Sequence, residues 1–179
     1  AAGMDLVIVE TVGVGQAEVD VAAATDTTVV VVTPGWGDAV QVAKAGILEI
    51  ADVFVVNKAD REGADAAVRD LQQMLRLGPE LAWTPPVVKT AAASGEGIEE
   101  LWEQVGAHRA HLETSGELER GRRLRLVREV ESLAVESLRA RVRELLDADA
   151  ELVDDVMQRR TDPYRAAGRI LERLGGGGM

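Results

Sequence analysis

Residues 52–60 read DVFVVNKAD, an apolar and β-branched run that ends in the order Asn57, Lys58, Ala59, Asp60. A short run that is apolar at successive positions, and not at alternate ones, is typical of a strand buried on both faces of a parallel sheet. The polar residues after such a strand lie at the carboxyl edge of the sheet, where open α/β sheets bind their ligands. This stretch therefore predicts both the fold class and the position of a site.

Similar apolar runs occur on both sides of this stretch, and segments with helical spacing lie between them. The predicted strands are MDLVIVE at 4–10, TTVVVVT at 27–33, DVFVVN at 52–57 and PVVKT at 86–90, and the predicted helices lie at 16–24, 38–51, 64–77 and 96–112. Alternating strands and helices indicate an α/β fold with a mostly parallel sheet. Among the aromatic residues, Trp102 lies on the last of these helices and is predicted to face the core.

The second half of the chain has no strand pattern. We place the domain boundary between residues 113 and 114, so that residues 1–113 form the sheet domain and 114–179 a helical arm. The arm begins with a long amphipathic helix, and Asp162 and Pro163 provide the N-cap and first position of its last helix. A projecting helix must bury its apolar stripe, either on the sheet or on another chain. Pairing with a second copy is the preferred alternative.

Composition limits the functional classes. The chain has 179 residues, a formal net charge of −11, a pI near 4.7 and no cysteine. An acidic protein of this kind lacks the basic face that nucleic acid or an anionic membrane requires, and the arginines at 120–128 are expected on a solvated helix face. The apolar runs are too short to cross a bilayer, and the absence of cysteine favours a cytoplasmic protein.

The order Asn57, Lys58, Ala59, Asp60 fits the recognition of guanine. Guanine presents N1–H and an exocyclic amine side by side, so that the carboxylate of Asp60 accepts from both, whereas adenine does not match it. The stem of Lys58 would lie along the base, and Asn57 would tie the loop to neighbouring backbone and reach the base edge. The loop Thr90–Ala92 would aim a backbone N–H at the guanine oxygen. The alternative is an accidental strand end followed by a helix cap.

The stretch VIVETVGVG at 7–15 places an acid and glycines directly after a predicted strand. In nucleotide-switch proteins an acid at this place organises the Mg²⁺ hydration shell or the attacking water, and the glycine N–H meets the γ-phosphate. Glu10 is therefore the predicted metal-site residue. The loop that follows it is expected to change shape on hydrolysis.

These motifs resemble the MeaB (ArgK) family of GTPases, which are G-protein chaperones of adenosylcobalamin-dependent methylmalonyl-CoA mutase. ETVGVGQAE looks like switch II of that family, residues 34–52 like its switch III, NKAD like its guanine motif, and KTAAASGEGIEELW like its second base-binding loop. The resemblance implies a SIMIBI-type P-loop NTPase with GTP or GDP and Mg²⁺ as ligands, a homodimer formed by the helical arm, and a cobalamin-dependent acyl-CoA mutase as partner. The residues it implies are Glu10 and Gly13 in switch II, Asp38 and Lys44 in switch III as further catalytic candidates, and Asn57, Lys58, Asp60, Ala91 and Ala92 around the base.

One motif of the family is absent from these residues. No GxxxxGK[ST] sequence, the loop that holds the nucleotide phosphates, occurs in the 179 residues. We therefore expect the chain to be the C-terminal part of a GTPase, with weak or no nucleotide binding by itself. A nucleotide-free dimerisation module remains an alternative, as does a metal-delivering GTPase, although His108 and His111 are predicted to be solvated helix residues. An older name in the family is an arginine or ornithine transport ATPase. An ATPase activity conflicts with Asp60, which is expected to select guanine over adenine.

Overall fold

The computed structural model describes residues 3–11, 17–35 and 47–175. The chain divides into two compact units, Ala1–Arg125 and Leu126–Met179. Arg122 and Arg125, which follow the boundary predicted at residue 114, both form ion pairs with Asp26. The hydrogen bond from Arg122 holds the pKa of the Asp26 carboxyl below its usual range, and the charge of Arg125 adds to this effect.

The first unit contains a three-stranded parallel sheet in the order β1-β2-β3. The strands are β1 (Val29–Val32), β2 (Val53–Asn57) and β3 (Val87–Thr90). The described helices of the chain are α1 (Ala17–Ala24), α2 (Ile47–Ile50), α3 (Ala64–Leu77), α4 (Ile98–Ser115), α5 (Glu117–Asp147), α6 (Ala150–Met157) and α7 (Pro163–Gly175). The alternation of strands and helices confirms the predicted α/β fold.

Both faces of the central strand are covered. Phe54 and Val56 of β2 pack on one face with Leu71 of α3, while Val53 and Val55 pack on the other face beside α4. Because successive side chains of a strand point to opposite faces, burial on both faces requires apolar residues at every position. Each buried side chain of this size stabilises the fold by about 1.5–3 kcal/mol. The continuous run VFVV is thus explained by its position between two helices.

Residues 4–10 do not form the predicted strand. They have no regular secondary structure, and their apolar side chains are exposed, Ile8 to 82%. Among the described residues β1 hydrogen-bonds only to β2, so that residues 4–10 are not paired with the sheet. An apolar run of this kind is suited to a buried strand, but residues 4–10 are not buried in this structure.

The prediction that Trp102 faces the core is wrong, since its side chain is 59% exposed. Helix α4 turns Leu101 and Val105, four residues apart, towards the sheet. Trp102 is next to Leu101 in the sequence and is therefore rotated by about 100° around the helix axis. Helical spacing identified the helix, but only the packing shows which face is buried.

The prediction that His108 is solvated is also wrong, because the side chain is 3% exposed. Its Nε2 lies 3.3 Å from Oδ1 of Asp52, and its Nδ1 lies 2.9 Å from the hydroxyl of Thr27. Burial lowers the pKa of His108, so that the neutral ring donates from Nε2 to Asp52 and accepts at Nδ1 from Thr27. With both nitrogens engaged, His108 is a structural residue and has no lone pair left for a metal.

The second unit has its own small core. Leu152 of α6 packs with Ala166 and Ile170 of α7, and with apolar residues from the end of α5. Asp149 caps α6 by accepting from the N–H of Leu152 at 3.1 Å. The predicted N-cap at Asp162 is confirmed, because its Oδ1 accepts from the backbone N–H groups of Tyr164 and Arg165 at 3.0 Å each. Within the ranges described above, none of the helices combines the length and apolar character that a membrane span requires.

Candidate functional site

The carboxyl ends of β2 and β3 lie side by side. Asn57, the last residue of β2, is in register with Thr90, the last residue of β3. The parallel sheet therefore brings the loop that starts at Lys58 next to the loop that starts at Ala91. The two base-binding loops predicted from sequence form one surface in the structure.

The side chain of Asn57 is held by three hydrogen bonds to a single atom. Its Oδ1 accepts from the N–H of Lys58 at 2.8 Å, from the hydroxyl of Thr90 at 3.2 Å and from the N–H of Ala92 at 3.2 Å. Three donors around this position identify the atom as the oxygen and not the nitrogen of the amide. The Nδ2 group is therefore the part of Asn57 that is left to contact a ligand, and it offers only donors.

The loop after Asn57 has a constrained backbone that presents Asp60. Lys58 is one of two non-glycine residues with positive φ in the described part of the chain, at 59°, a conformation that costs about 1–2 kcal/mol. The N–H of Ala59 donates to the carbonyl of Thr90 at 2.9 Å, and the N–H of Arg61 donates to that of Lys58 at 3.0 Å. Asp60 is exposed, and its carboxylate accepts no hydrogen bond from any residue described here.

The second loop is closed on itself. Ala91 is buried, its N–H donates to the carbonyl of Glu96 at 2.9 Å, and its own carbonyl accepts from the N–H groups of Ser94 and Gly95. Ala92 is exposed, and its N–H donates to Asn57. This N–H is therefore engaged within the protein, and a contact from a backbone N–H of this loop to a base oxygen stays a prediction.

Gly97 holds the end of the second loop against β3. A side chain at Gly97 would overlap the carbonyl oxygen of Lys89 and lie 3.2 Å from Cα of Thr90, and the residue has φ +76°. Both the positive φ and the close approach require glycine. Lys89 itself points to the surface, where its Nζ lies 3.1 Å from Asp65.

The phosphate-side residues predicted from sequence are only partly described. Glu10 is exposed, whereas Gly13, Asp38 and Lys44 lie outside the described residues. In the part of the chain that the structure describes, no group of three or more His, Cys, Asp or Glu side chains is arranged to hold a metal ion. Within this part of the chain, Glu10 is thus a single candidate ligand for a metal.

The loop after β1 reaches the base-site loops. A Cβ on Gly63, which follows Asp60 by three residues, would lie 3.8 Å from Cβ of Pro34. Pro34 opens the segment 34–52 predicted as switch III. The structure thus brings the start of this segment together with the loop that carries Asp60.

Sequence reasoning missed the supporting roles of two residues of this surface. The hydroxyl of Thr90 bonds to Asn57, and the lack of a side chain at Gly97 lets the loop close on Lys89. The only signal in the sequence is a threonine at the end of a strand and a glycine before a helix. Neither pattern identifies the partner, which is distant along the chain.

Comparison with known protein families identifies the family of this chain. The sequence profile of the family described as "Methylmalonyl Co-A mutase-associated GTPase MeaB" matches residues 1–147. The chain belongs to the MeaB family. This confirms the resemblance inferred from the motifs.

Similar proteins occur in distant organisms. A Pyrococcus abyssi protein, named as a candidate GTPase, is 45% identical over 185 residues, which cover 100% of this MeaB-family chain and 57% of the relative. GTPase ArgK of Escherichia coli is 38% identical over 128 residues, which cover 68% of this chain and 38% of ArgK. The methylmalonic aciduria type A homolog of Mus musculus is 38% identical over 122 residues, or 65% of this chain and 29% of that protein.

A solved structure supports the fold. The crystal structure of the LAO/AO transport system kinase superposes with a TM-score of 0.65 at 27% identity, and the match covers 97% of this chain and 58% of that one. This MeaB-family chain thus spans little more than half the length of that structure and of the Pyrococcus abyssi relative.

Proposed function

We propose that the protein containing these residues is a GTPase that hydrolyses GTP to GDP and phosphate, and that the surface at the ends of β2 and β3 reads guanine. One observation carries the proposal: Asn57 Oδ1 is occupied by three protein donors, while Asp60 is exposed beside it. The pair therefore offers donors from Asn57 Nδ2 and acceptors from Asp60.

This pattern is complementary to guanine and not to adenine. Guanine offers acceptors at N7 and O6 and donors at N1 and the 2-amino group, whereas adenine has a donor at its 6-amino group and no proton on N1. Asn57 Nδ2 would donate to the N7 and O6 side, and Asp60 would accept from the opposite edge. Lys58 is exposed, and its alkyl stem would cover one face of the base.

The phosphate chemistry is assigned to residues outside this surface. Glu10 and Gly13 would act in switch II and Asp38 and Lys44 in switch III, as the family resemblance implies. Mg²⁺ would be held mainly by phosphate oxygens and water, which is its usual coordination in nucleotide sites. Glu10 would contact that hydration shell.

The partner proposal rests on the family. The family description associates its members with methylmalonyl-CoA mutase, and the mouse relative carries the name of methylmalonic aciduria type A. We propose a chaperone role towards a cobalamin-dependent acyl-CoA mutase. We place this role in the cytoplasm, because the chain has no cysteine and so none of the disulfides that are typical of oxidising compartments.

The helical arm suits self-association. No residue of α5 is fully buried, although Val127, Val130 and Leu138 form an apolar stripe that is more than half exposed. Burial of this stripe against a second copy would remove it from water, and apolar burial drives most association. We propose a homodimer formed through α5, which light scattering over a concentration series would detect.

A second candidate function is a nucleotide-free partner-binding module. It is favoured by the absence of GxxxxGK[ST] from the 179 residues, since this loop supplies the strongest phosphate contacts. We expect the chain alone to bind guanine nucleotide weakly and to be inactive as an enzyme.

Titration with a fluorescent GDP analogue, competed separately by GDP and ADP, tests these proposals. The measurement is made on residues 1–179 and on the gene product that contains them. Guanine-selective binding by the gene product supports the GTPase proposal, and equal competition by ADP contradicts it. Tight binding of the GDP analogue by residues 1–179 would contradict the expectation of a weak site. Undetectable binding by residues 1–179 would fit the nucleotide-free partner-binding module.

A further inference from the structure

Two arginines of α5 hold the carboxylate that follows α1. Arg122 donates to Oδ2 of Asp26 from Nε at 3.2 Å and from Nη2 at 2.6 Å, and Nη2 of Arg125 pairs with Oδ1 of Asp26. Nη1 of Arg125 also donates to the carbonyl of Thr25 at 3.0 Å. Because the two arginines lie three residues apart, they share one face of α5. We call these four residues, Thr25, Asp26, Arg122 and Arg125, the arginine clasp.

The arginine clasp joins the predicted switch II to the helical arm. Residues 10–18 resemble switch II, and α1 (Ala17–Ala24) begins within them and ends directly before Thr25. Helix α5 is the long helix of the arm. The clasp therefore connects the far end of the switch helix with the first turns of the arm, through residues 96–100 positions apart in the sequence.

We propose that the arginine clasp transmits the nucleotide state of the site to the helical arm. The inference rests on the proposed GTPase function, because that function supplies the two nucleotide states. A displacement of α1 when GTP gives way to GDP would change the contacts of the clasp, and the clasp would change the order of the first turns of α5. The arm would thus respond to the nucleotide without touching it.

The geometry of the clasp makes it stronger than an ordinary surface ion pair. A single exposed pair contributes little, but Asp26 is shared by two guanidinium groups and both of its oxygens are engaged. Charge-assisted hydrogen bonds from arginine to a carboxylate are among the stronger ones in proteins. The side chains of Asp26 and Arg125 are only 33% and 27% exposed, which reduces screening by salt.

The rest of the connector between α1 and β1 is held in place as well. The hydroxyl of Thr27 bonds to Nδ1 of His108 at 2.9 Å, and the N–H of Thr28 donates to Oδ2 of Asp52 at 2.8 Å. The N–H of Asp52 in turn donates to the carbonyl of Thr28 at 2.9 Å. Because Thr27 and Thr28 are fixed, the connector has little freedom to absorb a displacement of α1. The nearest contacts that can respond are those of the partly exposed clasp.

The test measures hydrogen exchange of α5 by mass spectrometry in the gene product that contains these residues. Exchange within residues 117–125 is compared between the complexes with GDP and with a non-hydrolysable GTP analogue, each with Mg²⁺. Asp26→Asn removes the charge that both arginines share and keeps the size of the side chain, whereas Asp26→Glu keeps the charge. Arg123→Gln is the matched control, since Arg123 is an exposed arginine of the same helix that takes no part in the clasp.

We expect exchange within residues 117–125 of the wild type to differ by about fivefold or more between the two nucleotide complexes, as for two coupled sites. Asp26→Asn should abolish this difference while both nucleotides still bind. Asp26→Glu should retain most of the difference, and Arg123→Gln all of it. A merely structural role of the clasp would raise exchange equally in both complexes of Asp26→Asn and leave the difference intact.

Each outcome decides the inference. Equal exchange of α5 in both complexes of the wild type, or an unchanged difference in Asp26→Asn, would overturn the coupling and leave the GTPase proposal standing. A gene product that binds GDP no better than ADP would overturn the guanine site and the coupling together. If Asp26→Asn does not fold, Arg122→Gln weakens the clasp from an exposed residue, and an unreduced difference in that variant would overturn the coupling.

Discussion

Gly97 packs against the carbonyl oxygen of Lys89 so closely that the position of a Cβ on Gly97 is already taken by that oxygen. Gly97→Ala should therefore destabilise the first unit by about 2 kcal/mol or more, since overpacking and a left-handed conformation each cost about 1 kcal/mol or more. Thermal or denaturant unfolding measures this loss, and weaker GDP binding should accompany it in the gene product.

Gly106→Ala is the matched control on the same helix. A Cβ on Gly106 meets open space, and its φ is not positive. Because alanine favours a helix interior over glycine, this variant should be more stable by about 0.5–1 kcal/mol. Equal destabilisation by both substitutions would contradict the argument from the contact at Lys89.

Asp60→Asn should change the preferred base. The amide replaces one acceptor with a donor, which opposes the 2-amino group of guanine but matches the O2 carbonyl of xanthine. We expect about 100-fold weaker binding of GDP and a gain for XDP in competition with a fluorescent nucleotide. Asp65→Asn is the control, since Asp65 is an exposed carboxylate nearby that pairs with Lys89. An unchanged GDP to XDP ratio in Asp60→Asn would contradict direct reading by Asp60.

His108 should make stability depend on pH. Burial lowers the pKa of His108 in the folded protein relative to a value of about 6.5 in the unfolded chain. At His108 the unfolded chain then binds more protons than the folded protein in this range. The stability that His108 contributes is therefore fully present above about pH 6.5 and is lost as the pH drops through the folded pKa. The melting temperature, measured from about pH 7.5 to 5, should show this decline in the wild type.

His108→Gln removes the titrating ring but keeps a polar side chain for Thr27 and Asp52. Its melting temperature should be lower at neutral pH, because both hydrogen bonds are perturbed, and should vary less between about pH 7.5 and 5. The same slope in the variant and the wild type would assign the pH dependence to other groups.

Leu152→Ala should destabilise the second unit. Leu152 is 1% exposed at the centre of the small core formed by α6, α7 and the end of α5, and truncation of a buried leucine costs about 2–5 kcal/mol. Leu171→Ala is the control, since Leu171 is 64% exposed and such changes usually cost less than about 0.5 kcal/mol. Loss of helical circular dichroism in denaturant measures both, and equal effects would contradict this core.

The regular elements of the fold are predictable because their signals are local. The run at 52–57 predicts β2 (Val53–Asn57), and the apolar spacing at 64–77 predicts α3 over the same residues. Each pattern reflects the spacing of apolar residues in a strand or helix that packs on a neighbouring element. The run at 4–10 has the same composition but forms no strand, since a strand also depends on a partner that local sequence does not specify.

The residues proposed to contact the base are predictable from the sequence, but the hydrogen bonds that hold them in place are not. Asn57, Lys58 and Asp60 are recognised because they follow one another at the end of a strand. The bond between Asn57 and Thr90 joins residues 33 positions apart, and that between Thr27 and His108 joins residues 81 positions apart. Such pairs depend on strand register and helix packing, which become visible only when the chain is folded.

Among the residues that the structure describes, β1 has a neighbouring strand on one side only, and this has a practical consequence for anyone who prepares this chain. Val29 and Val31 are exposed on β1, and four exposed apolar residues lie at 6–9. Unpaired strand edges and short β-prone segments template the growth of ordered aggregates. Purified residues 1–179 should therefore become turbid and bind amyloid dyes on concentration or storage, and Val31→Lys should lengthen the lag phase of aggregation.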